Sequence, residues 1–198
     1  MKNILVVKLS AIGDVIHALP VSYAIKETYP EAHLTWVVEP TASSILEDNP
    51  YIDDIIIFEK TKFRSISGFL GAIGPLRRRL RRRRYDASLD LQGLFKSAAI
   101  VFNARVKRRI GTVNMREGAN LISRPVKGVH ARGHIVERYL DAARALGCRV
   151  DEVRFPVAVS ARDASAAEIL LMREGVPEGQ RFIALAIGAN WQIGRAHV

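Results

Sequence analysis

The sequence has few cysteines and no long apolar run. Cys148 is the only cysteine among 198 residues, so a disulfide within the chain is excluded. We expect its thiol to be packed in the core, and the cysteine usage fits a reducing compartment. No apolar stretch reaches about 18 residues, so we expect no membrane-spanning helix. No signal-peptide pattern precedes the first predicted strand.

Acidic residues are also scarce compared with basic ones. Twenty Asp and Glu face 30 Lys and Arg, which gives a net charge of +10. From Arg77 to Arg84 every residue except Leu80 is arginine, which predicts an anionic partner. No recognised nucleic-acid-binding pattern accompanies the run, so we expect no nucleic acid. An anionic bilayer attracts each nearby basic residue by about 1 kcal/mol, which favours docking to a membrane surface. The residues predicted to face that surface are Arg77, Arg78, Arg81, Arg82 and Arg84.

Apolar runs alternate with segments of helical periodicity along most of the chain. Because consecutive strands are joined by helices, this pattern predicts an α/β fold with a Rossmann-like, doubly wound parallel sheet. A long loop with one helical turn is predicted over 111–129. The predicted strands are 1–7, 33–38, 52–58, 86–91, 106–110 and 182–187. The predicted helices are 14–28, 41–48, 63–80 with a break near Pro75, 94–103, 134–146 and 162–174.

The turn after the first strand carries the strongest candidate for chemistry. Gly13 and Asp14 follow the apolar run Ile4–Val7, and a helix is predicted to open at Asp14. Ligands of open parallel sheets bind at the carboxyl ends of the strands, where a carboxylate can act as a general base. Alternatively, Asp14 only caps its helix. Position in the sequence alone leaves both interpretations open.

Other motifs exclude some classes of site. Only Gly13 matches the three glycines of a dinucleotide fingerprint, and the turn 92–97 lacks the glycines of a P-loop. Lys96 stands at a predicted helix start, where it can meet a ligand phosphate or carboxylate. Lys62 and Arg64 follow the third strand, at the same sheet edge as Asp14, and His17 follows Asp14 by one turn. No His, Cys or carboxylate spacing indicates a metal site.

Four motifs, in this order, resemble glycosyltransferase family 9, the heptosyltransferases of lipopolysaccharide core assembly. They are KLSAIGDVIH at 8–17, WVVE at 36–39, DLQGLFKS at 90–97 and GANW at 188–191. The third is most similar to the heptosyltransferase I group. The resemblance implies the N-terminal half of a GT-B glycosyltransferase. Residues 1–175 would form the acceptor-binding domain and 176–191 the start of a truncated donor-binding domain. We expect 192–198 to be a non-native tail, because it matches a translated sequencing adapter.

The resemblance also implies a reaction. Heptose would pass from ADP-heptose to lipid A carrying Kdo, with inversion, without a metal or other cofactor, and with Asp14 as base. The protein would be cytoplasmic and peripheral on the inner face of the inner membrane. The donor would be bound mainly by the missing domain, so we expect this chain to be inactive alone. The acceptor-binding residues would be Ser10, Gly13, His17, Lys62, Arg64, Gln92, Gly93, Lys96, Arg116 and Glu117.

Two alternatives stay open at this stage. The chain can be a non-catalytic module that binds an anionic lipid or carbohydrate at a membrane face. It can also belong to a GT-B enzyme with another sugar donor, because donor choice depends on the missing domain.

Overall fold

The computed structural model describes residues 1–63 and 66–185. The chain divides into two compact units, 1–158 and 159–198. The first unit holds a six-stranded sheet whose strands are all parallel. The spatial order is β3-β2-β1-β4-β5-β6. The strands are β1 Asn3–Val7, β2 His33–Val38, β3 Asp54–Ile57, β4 Ala87–Asp90, β5 Arg108–Gly111 and β6 Arg124–Pro125.

Helices cover both faces of this sheet. Successive side chains of a strand point to opposite faces, and β1 supplies Ile4 and Val6 to one core cluster but Leu5 and Val7 to the other. The first cluster includes residues of the helices α1 (Ile12–Thr28) and α5 (Ile135–Leu146), and the second includes residues of α3 (Ile66–Leu80) and α4 (Phe95–Asn103). The predicted doubly wound sheet is therefore confirmed. The helices are α1 Ile12–Thr28, α2 Pro40–Ser43, α3 Ile66–Leu80, α4 Phe95–Asn103 and α5 Ile135–Leu146, with 3₁₀ turns at Lys60–Phe63 and Ala119–Leu121.

The strand order reverses between β1 and β4, which lie side by side. Such a switch point opens a crevice at the carboxyl ends of the two strands, because their following helices go to opposite faces. The segments 8–11 and 91–94, which follow β1 and β4, meet at this crevice. The topology therefore places the two turns singled out from the sequence next to each other.

Several helix boundaries differ from the prediction. Helix α1 begins at Ile12 instead of Asp14, and α2 begins at Pro40 and ends at Ser43 instead of spanning 41–48. Helix α3 passes through Pro75 without the predicted break. The preceding residue is Gly74, which has no Cβ to clash with the proline ring. Because α3 ends at Leu80, the arginines from Arg81 onward lie outside the helix.

The segment 111–129 contains more structure than predicted. The expected helical turn is present as the 3₁₀ turn Ala119–Leu121, and β6 adds a strand that pairs with β5. A two-residue strand leaves no periodic signal, so the sequence did not reveal it. No strand is formed over 182–185, where one was predicted. Residues 186–187 of that prediction, the GANW motif, the tail 192–198 and Arg64 lie outside the described residues.

Helix α5 ends at Leu146 and is capped, as predicted, by Gly147, whose φ of 103° is in the left-handed region. Cys148 follows and is buried in the core beside α5. The second unit contains α6, Ala161–Arg173, which is preceded by the N-cap Ser160. The predicted acceptor-binding range, 1–175, stays a prediction, since compactness does not report which ligand a domain binds. Across the described residues, we find no helix long and apolar enough to cross a membrane.

Candidate active site at the carboxyl edge of the sheet

Asp14 lies in the first turn of α1, three residues after the N-cap Ala11. Its Oδ2 accepts the backbone N–H of Ala11 at 3.3 Å and lies 3.5 Å from Nζ of Lys8. The Asp14 side chain is 47% exposed. The carboxylate therefore caps its helix and also faces solvent at the carboxyl edge of the sheet. Capping and chemistry, which the sequence posed as alternatives, are compatible here.

Lys8 is almost completely buried directly beneath this carboxylate. Its side chain is 4% exposed, and its ammonium lies 5.3 Å from the centre of the Tyr139 ring. Its backbone carbonyl accepts the indole N–H of Trp36 at 3.2 Å. Burial lowers the pKa of Lys8, and the carboxylates of Asp14 and Asp90 act in the opposite direction. The site thus holds a desolvated cation whose charge is favoured by two carboxylates.

Gln92 ties the turn after β4 to the turn after β1. Its Oε1 accepts the backbone N–H groups of Leu9 at 3.0 Å and Ser10 at 3.3 Å. Asp90 organises the other side, because its Oδ1 accepts the N–H groups of Gln92 and Gly93. Asp90 is fully buried, and burial raises its pKa to about 6. Gln92 and Ser10, both predicted to bind the acceptor, therefore lie together.

The Arg116–Glu117 pair joins the same cluster of turns. The N–H of Arg116 donates to the carbonyl of Gly93 at 2.8 Å, and Oε2 of Glu117 accepts the N–H of Phe95 at 3.2 Å. Gly93 has a φ of +67°, and a Cβ there would lie 3.3 Å from the Thr112 hydroxyl. Glycine suits this position because it adopts the left-handed backbone conformation at little cost and leaves room for the Thr112 hydroxyl.

Lys96 does not present a free ammonium to the crevice. Its Nζ lies 2.8 Å from Oε1 of Glu39, the residue that follows β2. The Lys96 side chain is 27% exposed and that of Glu39 is 14% exposed. The sequence predicted that Lys96 would meet a ligand anion. In the structure its charge is already neutralised by Glu39.

The side chain of His17 contacts a second histidine, His134. Its ring packs edge-on against that of His134, with 5.6 Å between the centroids. His134 is the N-cap of α5, and its Nδ1 accepts the N–H of Val136 at 3.4 Å. Nδ1 of His17 is buried and has no hydrogen-bond partner among the described residues. His17 therefore links α1 to α5, and its predicted contact with an acceptor stays a prediction.

The basic residues around β3 are only partly available. Lys62 lies in the 3₁₀ turn after β3, at the same edge as Asp14, but its Nζ is 2.7 Å from Oε1 of Glu59. Arg81 was predicted to face a membrane, yet its Nε donates to the carbonyl of Asn103 at 2.9 Å and it is half-buried. The exposed members of the predicted surface are Arg77, Arg78, Arg82 and Arg84.

Sequence reasoning gave no role to Lys8, Glu39, Asp90 or Tyr139. The first three carry a signal, because each is a charged residue at the carboxyl end of a buried strand. Tyr139 lies on α5 and carries none, because only folding brings it to Lys8. Within the described ranges, 1–63 and 66–185, no group of three or more His, Cys, Asp or Glu is placed to hold a metal ion.

Comparison with known proteins identifies the family of the chain. Residues 73–192 match the family model of glycosyltransferase family 9 (heptosyltransferase). The chain is 29% identical to the lipopolysaccharide core heptosyltransferase OpsX of Haemophilus influenzae, over 84% of this chain and 47% of that protein. It is 31% identical to lipopolysaccharide heptosyltransferase 1 of Salmonella typhimurium, over 73% of this chain and 48% of that protein.

A solved structure gives the same result. The E. coli heptosyltransferase WaaC with ADP-2-deoxy-2-fluoro heptose matches with a TM-score of 0.65 and 27% identity, over 77% of this chain and 51% of that one. The fold is thus the Rossmann-like α/β fold of one half of a GT-B heptosyltransferase. The chain spans about half the length of the curated relatives it matches. The family match covers more than half of the chain, and the chain belongs to glycosyltransferase family 9, the heptosyltransferases.

Proposed function

We propose that this chain supplies the acceptor-binding half of an enzyme that transfers heptose from ADP-heptose to the Kdo region of lipid A. Asp14 is the general base, and the transfer inverts the anomeric centre. The observation that carries this proposal is the placement of the Asp14 carboxylate. It is half exposed at the switch point of the sheet, and both of its contacts with the described residues use Oδ2.

In this reaction Asp14 takes the proton of a Kdo hydroxyl while the hydroxyl oxygen attacks the anomeric carbon of the heptose. The bond from that carbon to the ADP oxygen breaks on the opposite face, which inverts the configuration. The Ala11 N–H and the Lys8 ammonium hold Oδ2, so that Oδ1 is left for the acceptor. The transfer uses no metal or organic cofactor. The departing diphosphate needs cationic or dipolar stabilisation from the donor-binding half.

The relatives support the choice of substrates. The matched proteins from Haemophilus influenzae and Salmonella typhimurium are named lipopolysaccharide heptosyltransferases, and the matched E. coli structure was determined with an ADP-heptose analogue. Because the chain covers about half of each relative, we propose that the donor is bound mainly by residues outside this chain. We therefore expect these 198 residues to bind acceptor but not to turn over alone.

The proposed location follows from the acceptor, which is an anionic lipid. Arg77, Arg78, Arg82 and Arg84 are exposed around the end of α3 and would attract an anionic bilayer. Arg81 contributes less, because its guanidinium is bonded to the end of α4. We propose that the enzyme works in the cytoplasm as a peripheral protein on the inner face of the inner membrane.

The test uses Asp14→Asn in a chimera that joins residues 1–191 to the donor-binding half of the Salmonella typhimurium relative. We expect binding of Kdo-lipid A to survive and turnover to fall by about 10²–10⁴, the usual scale for loss of a general base. Asp163→Asn is the matched control, because Asp163 also lies three residues after an N-cap, on α6. It should leave turnover unchanged.

Three outcomes would contradict the proposal. Near-normal turnover of the Asp14→Asn chimera would leave Asp14 as a helix cap only. Tight acceptor binding by a chimera that never transfers heptose, with the Salmonella typhimurium relative active in the same assay, would favour a non-catalytic binding module. Transfer of another sugar by the full-length natural protein, tested with a panel of nucleotide sugars, would assign the chain to a GT-B enzyme with a different donor.

A further inference from the structure

A second concave surface lies at the far edge of the sheet, away from Asp14. It is a cleft of about 600 Å³ between β5, β6 and the end of α5, and we call it the β5–β6 cleft. Its volume is within the range of small-molecule sites, about 300–1,000 Å³. In the sheet order β5 and β6 are two and three strands from β1, a separation of about 10–15 Å. Its basic lining residues are Lys107, Arg108, Arg109, Arg124 and Lys127.

The charge of this cleft is not compensated by the part of the chain that the structure describes. No acidic residue is among the described residues that line it. Among the described residues, none of its five basic side chains forms an ion pair with a carboxylate. This distinguishes it from the crevice of Asp14, where Lys8 and Lys96 are both paired. Cations gathered around one concavity repel each other, so an anion that binds there relieves an existing cost.

The cleft has a fixed frame. Nη2 of Arg108 donates to the carbonyl of Ala145 at 2.7 Å, which ties the start of β5 to the end of α5. Ile110 is buried, Ile122 and Val126 are half-buried, and together they form an apolar floor. The outer strand is only Arg124–Pro125, and Pro125 has no N–H to donate. Addition of a partner strand is therefore disfavoured, and recognition falls to the side chains.

We propose that the β5–β6 cleft binds phosphate groups, as a second anion site separate from the crevice of Asp14. Its ligand carries two or more negative charges. Arginine favours this class, because the planar guanidinium donates two parallel hydrogen bonds to a phosphate. Three of the five basic residues are arginines. The phosphate can belong to a soluble molecule or to a lipid headgroup, and this inference does not depend on heptose transfer.

The test measures binding of inorganic pyrophosphate to the full chain by calorimetry at about 0.15 M salt, where long-range surface attraction is screened. The variant Arg124→Gln/Lys127→Gln removes two charges from the cleft and spares the Arg108 contact. We expect its affinity to fall by about tenfold or more, which corresponds to about 1.4 kcal/mol. The control Arg132→Gln/Arg149→Gln removes two exposed charges from other surfaces and should bind as the wild type does.

A second arm identifies the source of the phosphate. Vesicles of phosphatidylcholine with and without phosphatidylglycerol are co-sedimented with the same three proteins. If the cleft variant alone loses binding to pyrophosphate, the result supports a soluble ligand. If the cleft variant alone loses binding, and only to vesicles that contain phosphatidylglycerol, the result supports a lipid headgroup. Equal loss in both double variants, or no binding of either probe, overturns the proposal. Thermal unfolding by circular dichroism confirms that each variant is folded.

Discussion

The ammonium of Lys8 lies 3.5 Å from Oδ2 of Asp14, while the Lys8 side chain is 4% exposed and the Asp14 side chain is 47% exposed. The pair thus joins a desolvated cation to a hydrated anion. Desolvation is the largest influence on Lys8 and lowers its pKa below the ordinary value of 10.5. The buried charge is therefore costly, and the exposed carboxylate only partly offsets that cost.

The first prediction concerns Lys8→Met, which keeps the length of the side chain and removes its charge. Between the lowered pKa of the folded state and 10.5, the unfolded chain binds more protons than the folded chain. The free energy of unfolding of the wild type therefore rises with pH across that window. At pH 7 we expect Lys8→Met to be within about 1 kcal/mol of the wild type or more stable, because water can solvate Asp14. Urea unfolding at pH 7 and pH 10 should show that the free energy of unfolding rises less with pH in the variant than in the wild type.

The control for this measurement is Lys62→Met. Lys62 also pairs with a carboxylate, Glu59, but its side chain is 56% exposed. Its removal should change neither the stability nor the slope with pH, because exposed pairs contribute little. A Lys8→Met variant that loses several kcal/mol at pH 7 would show that the buried ion pair stabilises the fold.

The second prediction concerns Gln92→Met, which removes the acceptor of two backbone N–H groups. Leu9 and Ser10 would lose their partner in a partly buried turn. Unsatisfied donors of this kind cost about 1–3 kcal/mol, so the urea midpoint should fall clearly below that of the wild type. Gln180→Met, at an exposed glutamine of the second unit, should leave the midpoint unchanged. An unshifted midpoint for Gln92→Met would mean that other groups hold the turn.

The third prediction compares two glycines predicted to bind the acceptor. Gly93→Ala should destabilise the protein by about 1–2 kcal/mol, since the backbone of Gly93 is in the left-handed region and a Cβ there would crowd Thr112. A Cβ on Gly13 meets no atom of the described residues within 4 Å, so Gly13→Ala should be neutral or stabilise α1 by up to about 1 kcal/mol.

These glycine variants also separate folding from binding. If the acceptor approaches the backbone at Gly13, Gly13→Ala keeps full stability and binds Kdo-lipid A more weakly. Thermal unfolding and an acceptor titration on the same samples measure the two effects. Unchanged affinity for Gly13→Ala would remove Gly13 from the set of acceptor-binding residues.

The fourth prediction concerns the buried carboxyl group of Asp90. Burial raises its pKa from 3.8 to about 6, so between these values the folded chain binds more protons than the unfolded chain. Its contribution to stability is therefore fully present at low pH and is lost as the pH rises through 6, by up to about 3 kcal/mol. Asp90→Asn keeps an oxygen for the N–H groups of Gln92 and Gly93 and removes the charge. The free energy of unfolding, measured with urea from pH 4 to pH 7, should fall less steeply in Asp90→Asn than in the wild type.

Part of the site could be predicted from the sequence because it depends on residues that are close together along the chain. The apolar run of β1 ends at Val7 and the helix after it carries Asp14, so their spacing predicts a carboxylate at a strand end. The turn 90–97 follows β4 in the same way. Boundaries were less predictable. Asp14 was expected to open α1, but Ala11 is the N-cap and Asp14 caps from the third helical position.

Ion pairs between residues far apart in the sequence could not be predicted from short stretches of the chain. Lys96 follows Glu39 by 57 residues, and only the parallel arrangement of β2 and β4 around β1 brings their ends together. Lys96, which was predicted from the sequence to contact a ligand, is thus paired with Glu39. The burial of Lys8 and the edge strand β6 likewise depend on tertiary packing, because neither leaves a periodic signal.

The sequence by itself determined the alternation of strands and helices, the doubly wound sheet and the position of Asp14 at a strand end. These depend on hydrophobic periodicity and turn residues, which act over a few positions. Tertiary structure alone decided which charges remain free. Lys8 and Lys96 became paired inside the crevice, while the five basic residues of the β5–β6 cleft have no carboxylate partner among the described residues. The physical reason is that desolvation and pairing depend on neighbours brought together only when the chain folds.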